Sequence, residues 1–263
     1  MTLYKKLLDL FKKPKPESSS AKIIRLDTTE STNRYLRDYV PEMGEEITVV
    51  VADYQTNGKG QGHNSWESEK GKNLLFSILL HPKEVPVAKQ FLLSEYGALS
   101  LKEALSDYID EGISLKWPND IYWNDKKLSG TLIETKIGGG RIKDCIFGIG
   151  LNVNQTEFRS DAPNPVSMAQ IVGREIDRDA LLDKIVRAFE RNYELIRSGN
   201  YICLTAQYHE SLYRSKGFFP YIDSEGEFEG SIVEVEDDGH LILRDSSGRI
   251  RSYEFKEIKY GKI

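Results

Sequence analysis

The glycine-rich stretch Gly58–Trp66 has the clearest chemical potential in this sequence. Three of its glycines alternate with polar residues directly after an apolar run that predicts a strand. Glycine lets a ligand approach the backbone closely, and exposed amides can hydrogen-bond phosphate or carboxylate oxygens. Lys59 adds a positive charge, and Trp66 offers a stacking surface. The spacing fits neither the Walker loop nor the dinucleotide glycine pattern, so an anion site and an ordinary surface turn both stay open.

A second candidate segment runs from Lys116 to Asp120 and is followed by Lys127–Gly130. It places lysines and a carboxylate around a Trp-Pro turn. A lysine ammonium can offset the negative charge of a carboxylate that meets a triphosphate. An aspartate can hold a magnesium ion or accept a proton from an attacking amine. The alternative is a hairpin with Asn124 and Asp125 at its tip and solvated charges.

The third candidate segment is Gly148–Asn154. Two glycines within a predicted strand indicate close approach of another backbone or a ligand. Asn152 is placed to reach such a ligand. A bulged strand explains the same glycines equally well.

Apolar periodicity and turn residues predict the elements that carry these segments. Helices are expected at Ser31–Tyr39, at Phe91–Ile109, from Asp177 or Asp179 to Arg197, and at Leu204–Tyr213. Strands are expected at Ile47–Ala52, Asn73–Leu80, Ser114–Trp117, Leu128–Glu134 and Asp144–Val153, with a turn at Gly138–Gly140. Each candidate segment therefore adjoins a strand or lies within one, where a sheet would fix its position.

After Lys216 the pattern changes to short strands separated by tight turns. Strands are expected at Phe228–Val235, His240–Arg244 and Arg249–Phe255. We therefore expect an extension and linker at 1–20, a main domain at 21–215, and a small β-barrel at 216–263 that packs on the main domain.

The composition is that of an ordinary globular protein, with 39% hydrophobic and 29% charged residues among 263. A formal net charge of −5 argues against a dedicated nucleic-acid binder. Neither a membrane span nor a secretory signal is recognisable. The two cysteines fit no metal spacing and are expected to be reduced core thiols. These features predict a cytoplasmic location.

In order and approximate spacing, the motifs resemble those of the biotin–protein ligases. The matching motifs are Ser31-Thr32-Asn33, Gln55–Trp66, Lys116–Asp120, Lys127–Gly130 and Gly148–Asn152. The resemblance covers about residues 22–260. It implies an α+β fold: a mixed sheet with helices packed on it, as in the class II synthetase-like catalytic domain, followed by a small SH3-like β-barrel.

The resemblance implies formation of biotinyl-5′-adenylate from biotin and Mg-ATP, and transfer of biotin to a lysine of a carboxylase's biotin carrier domain. The implied catalytic residues are Lys127, Asp120 and Lys116, with Asp120 also a candidate magnesium ligand. The implied biotin-binding residues are Ser31, Thr32, Asn33, Gln55, Gly58, Lys59, Gly60, Gln61, Lys127 and Gly130. The implied ATP and adenylate contacts are Lys59, Gln61, Trp66, Asn119, Asp120 and Asn152.

The glycine loop departs from the family pattern, in which several arginines occur. The corresponding positions here are Lys59, Gln61, Gly62, Asn64 and Ser65, which leaves one cation. Phosphate contacts are therefore expected from backbone amides, from His63, or from elsewhere in the fold. We expect the loop to order on binding biotin.

Two other functions stay open. A lipoate or octanoyl protein ligase or transferase shares the catalytic fold, and a non-catalytic biotin sensor would keep the pocket without turnover. About twenty residues precede the catalytic body, fewer than a winged helix-turn-helix needs, so the monofunctional type without DNA binding is expected. Membrane binding is not expected. A homodimer and the identity of the carrier protein stay open.

Overall fold

A computed structural model describes residues 19–60, 62, 64–159 and 164–262. Its larger sheet has seven strands in the order β1-β2-β3-β7-β6-β5-β4. The β1–β2 pair is parallel and the other neighbours are antiparallel. The strands are β1 (Lys22–Thr29), β2 (Ile47–Gln55), β3 (Leu74–Leu80), β4 (Ile113–Lys116), β5 (Asp120–Trp123), β6 (Lys126–Gly138) and β7 (Arg141–Leu151).

Helices cover both faces of this sheet. They are α1 (Thr32–Asp38), α2 (Phe91–Leu105), α3 (Met168–Val172), α4 (Arg178–Arg197) and α5 (Tyr201–Glu210), with a 3-10 turn at Val87–Lys89. On one face, the buried Tyr96 of α2 packs edge-on against Phe147 of β7 and Phe189 of α4. On the other face, Leu36 of α1 packs against Val50 and its neighbours. Because β7 alternates its side chains, Gly148 and Gly150 lie on the α1 face, opposite Phe147.

The C-terminal region forms a second, antiparallel sheet of five strands in the order β11-β10-β9-β8-β12. The strands are β8 (Phe219–Asp223), β9 (Gly226–Val235), β10 (Leu241–Asp245), β11 (Ile250–Tyr253) and β12 (Lys259–Tyr260). The prediction of a small β-module is therefore confirmed. Within the described residues β11 and β12 do not pair with each other, so the sheet is open where a closed barrel was expected. The division into domains at residue 216 stays a prediction.

Trp117 joins the two sheets. Its indole Nε1 donates to the carbonyl of Gly239 at 2.9 Å, and its ring lies 5.3 Å from that of Phe255. Arg214 adds a second link, donating to the carbonyls of Pro220 and Gly261 at 2.9 and 2.8 Å. The small sheet is thus held directly beside the predicted Trp-Pro segment.

Several predicted elements differ at their ends. The helix predicted to reach Ile109 ends at Leu105, and the one predicted at Leu204–Tyr213 begins at Tyr201 and ends at Glu210. Strands β1, β5, β8 and β12 and helix α3 were not predicted. Of the two cysteines, Cys145 is buried as expected, but Cys203 is exposed on α5. Most of the predicted extension lies outside the described residues. No helix among those described is long and apolar enough to cross a membrane.

Candidate active site

A cleft of about 1260 Å³ lies between the larger sheet and the C-terminal sheet. It gathers predicted site residues that are far apart in sequence, because β2, β5, β6, β7 and α1 all present residues to it. The predicted residues that line it are Ser31, Thr32, Asn33, Gln55, Lys59, Gly60, Trp66, Lys116, Asn119, Asp120, Lys127, Gly130 and Asn152. Gly58 is absent from the lining, and Gln61 and His63 lie outside the described residues.

The start of α1 forms a hydrogen-bonded floor at one end of the cleft. Gln55 Oε1 accepts from both the backbone N and the hydroxyl of Thr32, at 2.7 and 3.1 Å. The buried Ser77 hydroxyl lies 2.6 Å from Asn33 Oδ1 and 2.7 Å from the Thr32 hydroxyl. Asn33 Nδ2 donates to Glu134 at 3.0 Å. These bonds fix the side chains before any ligand arrives.

Ser31 is the N-cap residue of α1, as its type predicts, but its hydroxyl makes no capping hydrogen bond. It is nearly buried and lines the cleft. The Nε2 amide of Gln55 likewise makes no hydrogen bond to a described residue. This end of the cleft therefore offers polar groups that a ligand can engage.

Glycines of β6 and β7 form a flat platform under two side chains. A Cβ at Gly148 would lie 2.1 Å from Asn33 Oδ1, and a Cβ at Gly150 would lie 2.3 Å from Trp66 Cε2. Gly130 is paired with Gly150 across the two strands and also lies beneath the Trp66 ring. The sequence predicted close approach of another backbone or a ligand at these glycines, whereas the groups that approach are the side chains of Asn33 and Trp66.

The glycine-rich loop begins and ends as a narrow hairpin. Lys59 and Ser65 form an antiparallel bridge, and Trp66 N donates to the carbonyl of Gly58 at 3.1 Å. This pairing brings Trp66 back over the glycine platform. Its Nε1 is buried without a hydrogen-bond partner among the described residues, so an unused donor lies inside the cleft.

Lys127 and Asp120 form an ion pair with Nζ and Oδ1 2.7 Å apart, and both side chains are largely buried. The pairing of β5 with β6 sets Asp120 opposite Gly130, and Lys127 Nζ reaches the same point, 3.2 Å from a Cβ built at Gly130. The Lys127 ammonium also lies 5.8 Å from the centre of the Trp66 ring. The sequence-predicted lysine and aspartate are therefore direct neighbours.

Lys116 lies opposite Asp120 across β4 and β5 but makes no ion pair with it. Its ammonium donates to the Tyr122 hydroxyl at 2.9 Å and lies 4.6 Å from the centre of the Tyr260 ring. Burial lowers the pKa of Lys116, and the nearby Asp120 carboxylate opposes that shift. Lys116 thus contacts both sheets, where an aromatic cage holds a desolvated cation.

The two predicted asparagines have structural bonds as well as cleft positions. Asn119 donates from Nδ2 to the backbone carbonyl of Thr131, and the backbone carbonyl of Asn119 accepts from Thr131 N at 2.9 Å. Asn152 Nδ2 donates to the carbonyl of Val166 at 3.2 Å. Their amide oxygens are the atoms available to a ligand.

Sequence reasoning missed the contribution of the C-terminal sheet. Lys256, Lys259 and Lys262 line the cleft, together with Arg214 just before that sheet. A run of lysines in a terminal segment carries no motif, since solvated lysines are common there. The only available signal was the deficit of cations in the glycine loop.

Comparison with known proteins agrees with this geometry. Residues 26–152, which contain every predicted site motif, match the biotin/lipoate A/B protein ligase family. The bifunctional ligase/repressor BirA of Bacillus subtilis is 28% identical over 91% of this chain and 74% of that protein.

Residues 26–152 form a biotin/lipoate A/B protein ligase family domain. A biotin–acetyl-CoA-carboxylase ligase from Paracoccus denitrificans is 28% identical over 85% of this chain and 95% of that protein. The structure of a biotin protein ligase from Aquifex aeolicus in complex with biotin and ATP is similar with a TM-score of 0.75. It is 28% identical and covers 91% of this chain and 99% of that chain. The predicted resemblance to the biotin–protein ligases is confirmed.

Proposed function

We propose that this protein is an ATP-dependent biotin–protein ligase, which forms biotinyl-5′-adenylate and transfers biotin to a lysine of a carboxylase's carrier domain. The observation that carries the proposal is the Lys127–Asp120 pair, which lies in one cleft with the glycine loop and the polar floor of α1. The names of the relatives from Paracoccus denitrificans and Aquifex aeolicus favour biotin over lipoate as the substrate.

Biotin is expected to lie against the α1 end of the cleft. Its ureido group both donates and accepts hydrogen bonds, and the Ser31 hydroxyl and Gln55 Nε2 are the groups free to meet it. Thr32 and Asn33 are already bonded to Ser77 and Gln55, so their part is to shape the pocket as well as to contact the ligand. Gly58, Lys59, Gly60, Gln61 and Gly130 complete the proposed biotin site.

In the first reaction step, a biotin carboxylate oxygen attacks the α-phosphorus of ATP, and the bond to the β-phosphate bridging oxygen breaks to release pyrophosphate. Two anionic groups must meet, so positive charge is most valuable between them. Lys127 is proposed to bridge the carboxylate and the α-phosphate. The ion pair with Asp120 holds its ammonium in place at the centre of the cleft.

In the second step, the carrier lysine amine attacks the acyl carbon of the adenylate, and the bond to the phosphate oxygen breaks to release AMP. The amine loses one proton, and Asp120 is the proposed acceptor. Trp66 and Asn152 are proposed to face the adenylate, and Asn119 the phosphates. Lys116, held between Tyr122 and Tyr260, contributes charge at the same end.

A magnesium ion is implied as the partner of ATP. Mg²⁺ is usually bound through one or two carboxylates together with substrate phosphates. The Asp120 carboxylate and the Asn119 amide oxygen, both in the cleft, fit that donor set. When bound, the ion would neutralise phosphate charge as pyrophosphate leaves.

The decisive experiment incubates the protein with ATP, magnesium, biotin and a biotin carrier domain. We expect biotin-dependent release of pyrophosphate and labelling of the carrier. Lys127→Ala should lower kcat about 10²- to 10³-fold, because it removes a charge aimed at the developing negative charge. Lys136→Ala, an exposed lysine of the same strand, is the matched control and should be unaffected.

Each alternative has its own result in that assay. Labelling of a lipoyl domain in place of the biotin carrier would identify a lipoate or octanoyl transferase. Biotin binding without pyrophosphate release would identify a sensor. Equal transfer by wild type and Lys127→Ala would contradict the role of the central lysine. The cytoplasmic location and the absence of DNA binding stay predictions, and the oligomeric state stays open.

A further inference from the structure

The cleft is locally cationic although the protein is acidic overall, with a net charge of −5. Nine lysine and arginine side chains line it, against five aspartates and glutamates. A cleft with low-dielectric walls concentrates such a field and attracts anionic ligands. The cleft is therefore suited to phosphates, although its glycine loop is poor in cations.

Several of these cations are already paired. Arg34 bonds to Glu30, Arg37 to Glu134, and Lys127 to Asp120. Lys116 and Arg214 are held by aromatic rings and uncharged acceptors. Four lining lysines make no ion pair within the described part of the chain, and these are Lys59, Lys256, Lys259 and Lys262. Three of the four lie in or near β12, the last strand of the C-terminal sheet.

Lys256 is the C-terminal lysine that lies against the glycine loop. A Cβ at Gly62 would lie 2.6 Å from Lys256 Nζ, so the ammonium occupies the space that a side chain would fill. Gly62 has a φ of +69°, which glycine adopts without strain, and it has no side chain to compete with the ammonium for this space. Lys256, which lines the cleft, is therefore held against the glycine loop.

The position of Lys256 is fixed by its neighbour. Phe255 packs against Trp117 at 5.3 Å and against Phe91 at 6.4 Å between ring centres. Lys256 itself has a φ of +75°, in the left-handed region, which turns the chain towards the loop. Trp117 belongs to the same segment as Asp120. The C-terminal sheet is thus anchored at the reaction centre and extends Lys256 across the cleft.

We propose that Lys256 is a phosphate-binding residue of this cleft, supplying from the C-terminal sheet a positive charge that the glycine loop lacks. Its ligand class is the phosphate groups of a nucleoside triphosphate or of pyrophosphate. The proposal deepens the proposed ligase function and rests on it for the identity of the nucleotide. It makes the C-terminal sheet part of the binding site.

The test is to measure the binding of inorganic pyrophosphate by calorimetry in the presence of magnesium. Lys256→Ala should bind about tenfold more weakly than wild type, because a charge-assisted hydrogen bond is lost. Lys256→Arg keeps the charge and should stay within about twofold. Lys216→Ala removes an exposed lysine outside the cleft and should match wild type. The KM for ATP should rise in parallel in Lys256→Ala, with the KM for biotin nearly unchanged.

Unchanged pyrophosphate affinity in Lys256→Ala, with an unchanged Tm, would overturn the proposal. An equal loss in Lys216→Ala would do the same, because it would show a general charge effect. A wild type that never releases pyrophosphate with biotin would reject the ligase function instead. The calorimetric comparison would still decide the role of Lys256, since it does not depend on turnover.

Discussion

The two sides of the cleft differ in how their polar groups are held. On the side of the larger sheet, side chains arrive bonded to one another: Thr32 to Gln55, Asn33 to Ser77, and Lys127 to Asp120. On the side of the C-terminal sheet, the lysines at 256, 259 and 262 make no ion pair with a described residue. One side is pre-organised, and the other carries free charge.

This difference fits what each side is proposed to bind. A small ligand recognised by shape needs side chains already locked in position, since a loosely held site loses specificity. Phosphates are recognised mainly by charge, which tolerates longer and more flexible side chains. We infer that the larger sheet sets the geometry of the reaction and that the C-terminal sheet adds electrostatic attraction.

The largest expected effect concerns a buried carboxyl where the helices meet the C-terminal sheet. Glu95 of α2 is 4% exposed, accepts a hydrogen bond from Thr205 at 2.8 Å, and lines a cavity of about 430 Å³ that Asp237 also lines. Burial raises the pKa of Glu95 to about 7, with Asp237 reinforcing the shift and Lys89 opposing it.

The direction in which stability changes with pH follows from proton binding. Between about pH 4.5 and 7 the folded state keeps a proton that the unfolded state has lost, so stability falls as pH rises through this window and is level above it. Glu95→Gln should remove the fall and gain about 3 kcal/mol over wild type at pH 8. Denaturant unfolding from pH 5 to pH 8 measures this. Glu103→Gln, an exposed residue of the same helix, is the control, and parallel pH curves for both variants would contradict the burial argument.

A change on the pre-organised side should have the next largest effect. In Gly148→Ala the new Cβ would lie 2.1 Å from Asn33 Oδ1, and Asn33 cannot yield without breaking its bonds to Ser77 and Glu134. We expect a loss of about 1–3 kcal/mol in the free energy of unfolding, since overpacking a buried site costs that much. Biotin affinity should fall by about tenfold, while pyrophosphate affinity should hardly change.

The matched control for that substitution is Gly138→Ala in β6. Its Cβ would meet only the flexible end of Lys143, at 2.4 Å, which can move aside. Urea unfolding and biotin titration of the two variants give the comparison. Equal effects would mean that the glycine platform is not a rigid fit to Asn33.

Much of the pre-organised side was predictable from the sequence, because its residues lie in short motifs. Glycines within a predicted strand indicated a close approach at Gly148 and Gly150, and the structure supplies Asn33 and Trp66 as the partners. The resemblance to the biotin–protein ligases then assigned Lys127 and Asp120 to one catalytic site. Helix α4 was likewise predicted well, because Asp177 caps its start and Gly199, with a φ of +69°, follows its end.

The charged side was not predictable in the same way. Lys256 lies more than a hundred residues from Trp117, and only tertiary packing through Phe255 brings it to the cleft. The lysines of the C-terminal side carry no periodicity or spacing that distinguishes them from solvated surface charge. Strand β1 was missed for a related reason: it is an edge strand whose half-exposed residues lack a clear alternation.

The smallest expected effect concerns the link between the two sides of the cleft. It can be tested by making the same substitution at two tryptophans. Trp117 and Trp123 each donate from Nε1 to a backbone carbonyl, at 2.9 Å to Gly239 and at 3.1 Å to Glu111. The first bond is buried and joins the two sheets, and the second is exposed. Trp117→Phe should cost about 1–2 kcal/mol in the free energy of unfolding, because the Gly239 carbonyl is left unsatisfied.

Trp123→Phe should lower the free energy of unfolding by less than about 0.5 kcal/mol, since water can replace the exposed hydrogen bond to Glu111. The KM values of Trp117→Phe test whether the two sides of the cleft act separately. If Trp117 positions the C-terminal lysines, Trp117→Phe should raise the KM for ATP about threefold and leave the KM for biotin unchanged. A matched rise in both constants would mean that the C-terminal sheet also shapes the biotin end, and that the two sides act as one unit.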